Sequence, residues 1–202
     1  VGKGLDKDAL EQIRTIYQLA KKEKQEAQII KAAVYMVFVQ NENRENSIET
    51  AIAELEKELL NTSGQAKAIY QSLIAAQYYA YYQRIRWQLY DRTATNRFDK
   101  NDIATWGSED FHNKIGGLYL ESIHEEGLLK ETPLGPYDAL IIKGNMRKLR
   151  PTLYDLLAFR ALSYFSSTEL NVKKPQYAFE IADASAFDPA ADFVHRKFET
   201  RD

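Results

Sequence analysis

The sequence predicts an all-α fold of stacked helical hairpins, tetratricopeptide-like in plan, with two further helices and an irregular C-terminal tail. Three observations predict it. First, residues 65–91, QAKAIYQSLIAAQYYAYYQRIRWQLYD, contain no Gly or Pro and are long enough for about seven helical turns. Ile69, Leu73, Ala76 and Ala80 lie on one side, Ile74, Tyr78, Tyr81, Ile85 and Leu89 on a second, and Tyr79, Tyr82 and Tyr90 on a third. A helix apolar on most of its circumference is normally buried between neighbours. Second, the flanking segments carry single apolar stripes at helical spacing. Third, an offset of 39 residues aligns Ala9, Ile13, Ile16 and Ala20 with Ile48, Ile52, Leu55 and Leu59, and Ile30, Val34 and Val37 with Ile69, Leu73 and Ala76. That is the pattern of two stacked hairpins, near the tetratricopeptide period but without its consensus signature.

In chain order, Ala9, Leu10, Ile13, Ile16, Tyr17 and Ala20 form the stripe of a first helix. It leaves through Lys21-Lys22-Glu23-Lys24, where cations suit the negative end of the helix dipole. Residues 28–40 read as a buried partner helix, with β-strand as the minority reading of the Val34–Val39 run. Residues 41–46 are a polar loop; Ser47 is the expected N-cap of a third helix built on Ile48, Ala51, Ile52, Leu55 and Leu59. Asn61-Thr62-Ser63-Gly64 turns into the central helix. Residues 92–107 are too polar and punctuated for a long helix. Ser108 is the expected N-cap of a fifth, with Glu109 and Asp110 in its first turn and Phe111, Ile115, Leu118, Tyr119 and Ile123 on its stripe. Its Gly116-Gly117 pair costs about 1 kcal/mol per glycine relative to Ala, a cost that close packing against the central helix would explain. Residues 127–150 read as an irregular link, followed by a sixth helix with Leu153, Leu156, Leu157, Ala161, Tyr164 and Phe165 on its core face. The expected organisation is thus a helical domain over 1–165 (hairpins 5–91, loop 92–107, further helices 108–165) and a tail over 166–202 draped on it and leading onward.

Composition narrows the function classes. With 27 Lys plus Arg against 29 Asp plus Glu, net charge −2 gives no general attraction to nucleic acid or an anionic membrane. No apolar run approaches the roughly 18 residues of a membrane span. The absence of Cys excludes disulfides, thiolate metal sites and a Cys nucleophile, and leaves the compartment open. The start Val1-Gly2-Lys3, without initiator Met or signal peptide, reads as a piece of a longer or processed protein.

Candidate chemistry is sparse. Tyr78, Tyr79, Tyr81, Tyr82, Trp87 and Tyr90, interleaved with Arg84 and Arg86, have the composition of a stacking surface, but their spread around the helix favours core residues with hydroxyls reaching the rim. The candidates for partner or glycan contact are Tyr79, Tyr82, Arg86 and Tyr90. Three or more rings on one exposed concave face would favour glycan. Asp99, Asn101 and Asp110 fall at positions one, three and twelve of a calcium loop, yet Ile103 and Ala104 stand where a ligand and a Gly are required. Glu121 and His124 have one half of a bridged-metal spacing without its second copy. There is no Gly-x-Ser-x-Gly elbow or phosphate-cradling Gly loop. The expectation is no cofactor, no metal and no enzyme activity.

Gly4-Leu5 with Ala9-Leu10, YYQRIRWQLYDRT (81–93), FDKNDIATW (98–106), KLRPTLYDLLAFRAL (148–162) and AFDPAADFV (186–194) together resemble the N-terminal helical region of the large alpha-2-macroglobulin-like proteins of Bacteroidetes. The resemblance implies export to the cell envelope and a polypeptide that continues into macroglobulin-type β-sandwich domains. Members of that family trap proteases through a Cys–Gln thioester; with no Cys, this chain would hold no part of it. No catalytic residue carries over. The expected function is a non-catalytic interaction or assembly module whose partners are other domains of the same polypeptide and envelope proteins; the alternative is a helical-repeat glycan-binding module.

Within the third motif, Arg150, Pro151, Thr152, Tyr154 and Asp155 are expected to be structural, together with Trp106 of the second. Pro151 fixes the helix entry, and Thr152 with Asp155 has capping-box spacing, Asp replacing the usual Glu. Tyr154 and Arg150 are expected to tie the irregular link or the 92–106 loop onto the helical body, with Arg150 the more sensitive position if it is buried.

Overall fold

Helix-forming runs with apolar residues every three or four positions fold as helices throughout. The computed structural model describes residues 2–41, 47–89, 99, 102–142, 144, 147–167 and 189–193. Contacts divide the chain into two compact units, Val1–Ser166 and Ser167–Asp202. The first holds α1 (Gly2–Lys22), α2 (Glu26–Asn41), α3 (Ser47–Leu59), α4 (Gly64–Leu89), α5 (Ser108–Glu121), α6 (Glu126–Glu131) and α7 (Leu153–Phe165). Among the described residues there is no strand, and one isolated antiparallel bridge joins Pro133 to Thr152. Of the second unit, the described part is one short helix, α8 (Ala190–Phe193). The expected draping of the tail otherwise falls outside the described residues.

The Val34–Val39 run is helical, inside α2. Ala27, Ile30, Ala33 and Val37 recur at intervals of three and four along it, and all are buried. Helix α1 ends where Lys24 takes a left-handed φ of 57° and the Gln25 amide donates to the Ala20 carbonyl at 2.9 Å. Gly64 opens α4 with φ 55°, a conformation that favours glycine, and a Cβ there would meet Leu128 Cδ2 of α6 at 3.6 Å.

Helix α4 sits at the centre. It packs against α3 and α5 along its length, against α7, and more lightly against α2 and α6. Ile74 and Ala75 on α4, Phe111 and Ile115 on α5, Leu129 on α6 and Leu153 on α7 are wholly buried. Each large apolar side chain so placed contributes about 1.5–3 kcal/mol. Arg160 of α7 donates through Nε to Ser72 Oγ at 2.8 Å and through a terminal nitrogen to the Ser72 carbonyl at 3.2 Å, so two α4 acceptors that face α7 are satisfied.

Several sequence expectations change. The expected irregular link over 127–150 is helical at its start, where 127–131 belong to α6; the described residues after it are turns and bends with 3-10 turns at Gly135–Tyr137 and Arg147–Leu149. The Tyr137 hydroxyl donates to Glu26 of α2, and Arg147 pairs with Asp138. Six residues of α6 are too few to show a periodicity. Ser108 is not the N-cap of α5 but its first residue; the cap is Gly107, whose amide donates to the Asp110 carboxylate at 2.9 Å. Ile123 lies beyond the end of α5. The glycine pair does not meet α4. A Cβ on Gly116 would touch Phe165 of α7 at 3.5 Å, and one on Gly117 would meet nothing within 4 Å. Nothing in the structure explains Gly117. Ser47 is helical, and its capping side chain lies outside the described residues, as do residues 42–46 and 90–98.

Candidate functional site

Most aromatic residues of α4, Trp87 excepted, are packed inward, where α5, α7 and Trp106 supply rings beside them. Tyr78 stacks on Trp106 with centroids 5.5 Å apart and planes 5° apart, and its hydroxyl donates to Glu56 of α3 at 3.0 Å. Phe111 sits 5.7 Å from Tyr81, 5.8 Å from Tyr82 and 5.2 Å from Trp106. Tyr82 meets the His112 ring edge-on at 4.7 Å, and His112 Nδ1 is 2.7 Å from the Tyr164 hydroxyl. Tyr79 packs edge-on against Tyr164 at 5.4 Å. Offset and edge-to-face arrangements of this kind add about 0.5–1.5 kcal/mol per pair beyond area burial. Burial, followed by the charge and hydrogen bond of Glu49, pushes the Tyr81 hydroxyl up to about 12. Burial and Glu56 push Tyr78 up as well.

The four candidate contact residues sit differently in this packing. Tyr82 is buried, Tyr79 is half-buried against Tyr164, and Arg86 is half-buried with its guanidinium 4.7 Å from the Trp87 ring. Tyr90 lies outside the described residues. Among the described rings of α4, Trp87 alone is exposed, at 71%. One exposed ring is fewer than the three that a shared stacking face requires. Among the described residues α4 therefore presents no three-ring stacking face of the kind the glycan alternative calls for.

At the entry to α7, the Thr152 amide donates to Asp155 Oδ2 at 2.9 Å and the Asp155 amide donates to Thr152 Oγ1 at 3.2 Å, a reciprocal capping box. The Leu134 amide donates to the Pro151 carbonyl at 2.9 Å, and the Leu153 amide to the Thr132 carbonyl at 2.8 Å. These bonds tie the segment after α6 to the start of α7. Tyr154 receives Lys130 of α6 over its ring, 5.0 Å from the centroid. Trp106 donates through Nε1 to the Asp99 carbonyl at 3.2 Å. Arg150 behaves differently from the expectation. It is exposed, its amide donates to the Arg147 carbonyl at 3.1 Å, and its guanidinium lies over the Phe159 ring of α7 at 4.1 Å.

Two concavities bear on a candidate site. A cleft of about 50 Å³, room for very little solvent, lies among Gly64, Lys67, Gln71, Glu121, His124 and Glu125. Among the described residues no group of three or more His, Asp or Glu is arranged to hold a metal ion. The second is an open groove of about 510 Å³ between the end of α5 and the outer face of α7, lined chiefly by Leu120, Ile123, Phe159, Leu162, Phe165 and Arg150. Leu120, Phe159, Leu162 and Phe165 are 56%, 47%, 63% and 41% exposed. The groove's acid is Asp155, whose carboxylate is committed to the cap. Its lining is chiefly apolar, with Arg150 as its cation.

Sequence reasoning passed over Phe159, Leu162 and Leu120. The signal was present in LYDLLAFRALSYF, which is apolar on more than one side. One stripe, Leu153, Leu157, Ala161 and Tyr164, is buried, and Phe159, Leu162 and Phe165 form a second that the first does not account for. Among the described residues no helix is long and apolar enough to cross a membrane. No family model, curated protein or solved structure matches the chain.

Proposed function

We propose that this chain is a non-catalytic interaction and assembly module at the N-terminus of a large alpha-2-macroglobulin-like protein of the Bacteroidetes cell envelope, acting outside the cytoplasm. The observation that carries the reading is chain-order packing: α1 lies on α2, α2 on α3 and α3 on α4, in step with the 39-residue offset between the two helix pairs. Stacked tetratricopeptide-like hairpins are the finer form of that arrangement, and stacking of this kind leaves extended faces for partners. The motifs at 81–93, 98–106, 148–162 and 186–194 support the family assignment, and the apolar groove on α7 supports a binding role. Protease trapping through a thioester, where the parent polypeptide has one, belongs to its other domains.

The test is the parent polypeptide. An antibody raised against this domain should detect, in envelope fractions of the source cells, a protein several times larger than 23.3 kDa. Peptide sequencing of that band should read macroglobulin-type β-sandwich domains. A band near the mass of this chain alone, or one confined to the cytoplasm, would overturn the proposal.

A further inference from the structure

We infer that the groove between α5 and α7 docks an amphipathic helix of a protein partner, one that carries a carboxylate at the end meeting Arg150. The inference rests on the reading of the chain as an interaction module and names the surface and the partner's chemistry.

The shape argues for a helix. Phe159, Leu162 and Phe165 follow one another at intervals of three on α7, forming an i±3 ridge, and Ala158 and Ala161 beside them leave a low floor. A ridge of that kind packs into the i±4 groove of a second helix at a shallow angle. Leu120 and Ile123, at the end of α5, form the opposite wall. The groove is open along one side, which suits a helix laid into it better than a small molecule that must be enclosed. Singly scattered apolar residues on a surface carry no meaning, but here four half-exposed large side chains line one concavity.

The charge argues for an acidic end. Arg150 lies at the α7 N-terminal end of the groove, its guanidinium held against the Phe159 ring at 4.1 Å. Among the described residues no ion pair engages it. Asp155, the neighbouring acid, has its carboxylate turned to the Thr152 amide and hydroxyl. The apolar floor is therefore flanked by one positioned cation whose charge is left for a partner. A carboxylate reaching it would form a charge-assisted, two-pronged hydrogen bond.

The experiment uses fluorescein-labelled amphipathic helical peptides of about four turns with a leucine ridge. One carries Glu at both ends and the other Lys at both ends, so either docking direction presents the charge. Binding to the 202-residue chain is read by fluorescence anisotropy. The Glu peptide should bind saturably and about fivefold more tightly than the Lys peptide. Arg150→Glu should reverse that preference. Leu162→Asp should weaken both peptides by at least about tenfold without shifting the melting curve, because the side chain it replaces is largely exposed. If Leu162→Asp loses helicity, Phe159→Ser takes its place. Absent binding, equal affinity for the two peptides, or binding that survives both groove variants would overturn the inference. So would concentration-dependent self-association removed by Leu162→Asp, which would make the occupant a second copy. None of these results bears on the size of the parent polypeptide, so the two proposals fail separately.

Discussion

The α4–α5–α7 centre and the α1–α2 hairpin are built from similar helices and reach opposite outcomes. Helix α1 has a clean amphipathic pattern, yet Ile16 and Leu19 are half exposed. Helix α4 is apolar on most sides and is buried on several of them, leaving a solvent stripe at Ala80, Arg84, Trp87 and Gln88. The difference is the number of neighbours. Helix α1 rests on α2 and reaches α3 through the Tyr17 hydroxyl, which donates to Glu58 at 3.2 Å; α4 has helices on several sides. Even residues aligned by the 39-residue offset in sequence diverge: Leu55 is buried while Ile16 is not. Sidedness tells which face of a helix is apolar. It does not tell how many faces will be covered.

The largest expected effect tests the centre. Phe111→Ala removes a wholly buried ring in contact with Tyr81, Tyr82 and Trp106, and should cost about 3–5 kcal/mol in urea unfolding. A loss below about 1 kcal/mol would mean the aromatic centre is loosely packed and the contrast with α1–α2 is false. Alkali probes the same region. Tyr81 is held protonated to about 12 by burial and Glu49, against 10 in a free chain. A raised folded value means that the unfolded chain loses its proton first, so the stabilisation is complete below pH 10 and disappears as pH climbs toward 12. The melting temperature should therefore fall above pH 10, and phenolate absorbance should appear together with unfolding. Phenolate forming well before unfolding would show the centre open to solvent.

Thr152→Ala tests the edge of the centre. It breaks one arm of the α7 capping box and should cost about 1 kcal/mol, read as a modest drop in melting temperature. The smallest change belongs to the outer hairpin. Leu19→Gln keeps helix propensity and alters a half-exposed side chain, so its cost should stay under about 0.5 kcal/mol. A cost approaching that of Phe111→Ala would mean that α1 is covered in solution, and the two regions would then differ less than their exposures indicate.

Local signals in the chain were enough to establish the all-α class, the span of α4, the start of α7 and its capping box. Each depends on residues within a few positions of one another: an unbroken apolar run, a Pro beside a Thr-x-x-Asp, a turn around Gly64. Local signals also mark α1, α2, α3 and α5 to within a few residues. Helix α6 escaped them because six residues are too short for a period. Packing between distant residues decided the rest. Tyr82 became interior because Phe111 and His112, some thirty positions away, lie against it. Arg150, which precedes α7, stays exposed with its guanidinium laid on Phe159 of that helix. The α7 groove opens where α5 ends at Glu121, and among the described helices none lies on the second apolar stripe of α7. A helix's periodicity is a property of its own residues, whereas the covering of each face depends on where every other helix comes to rest.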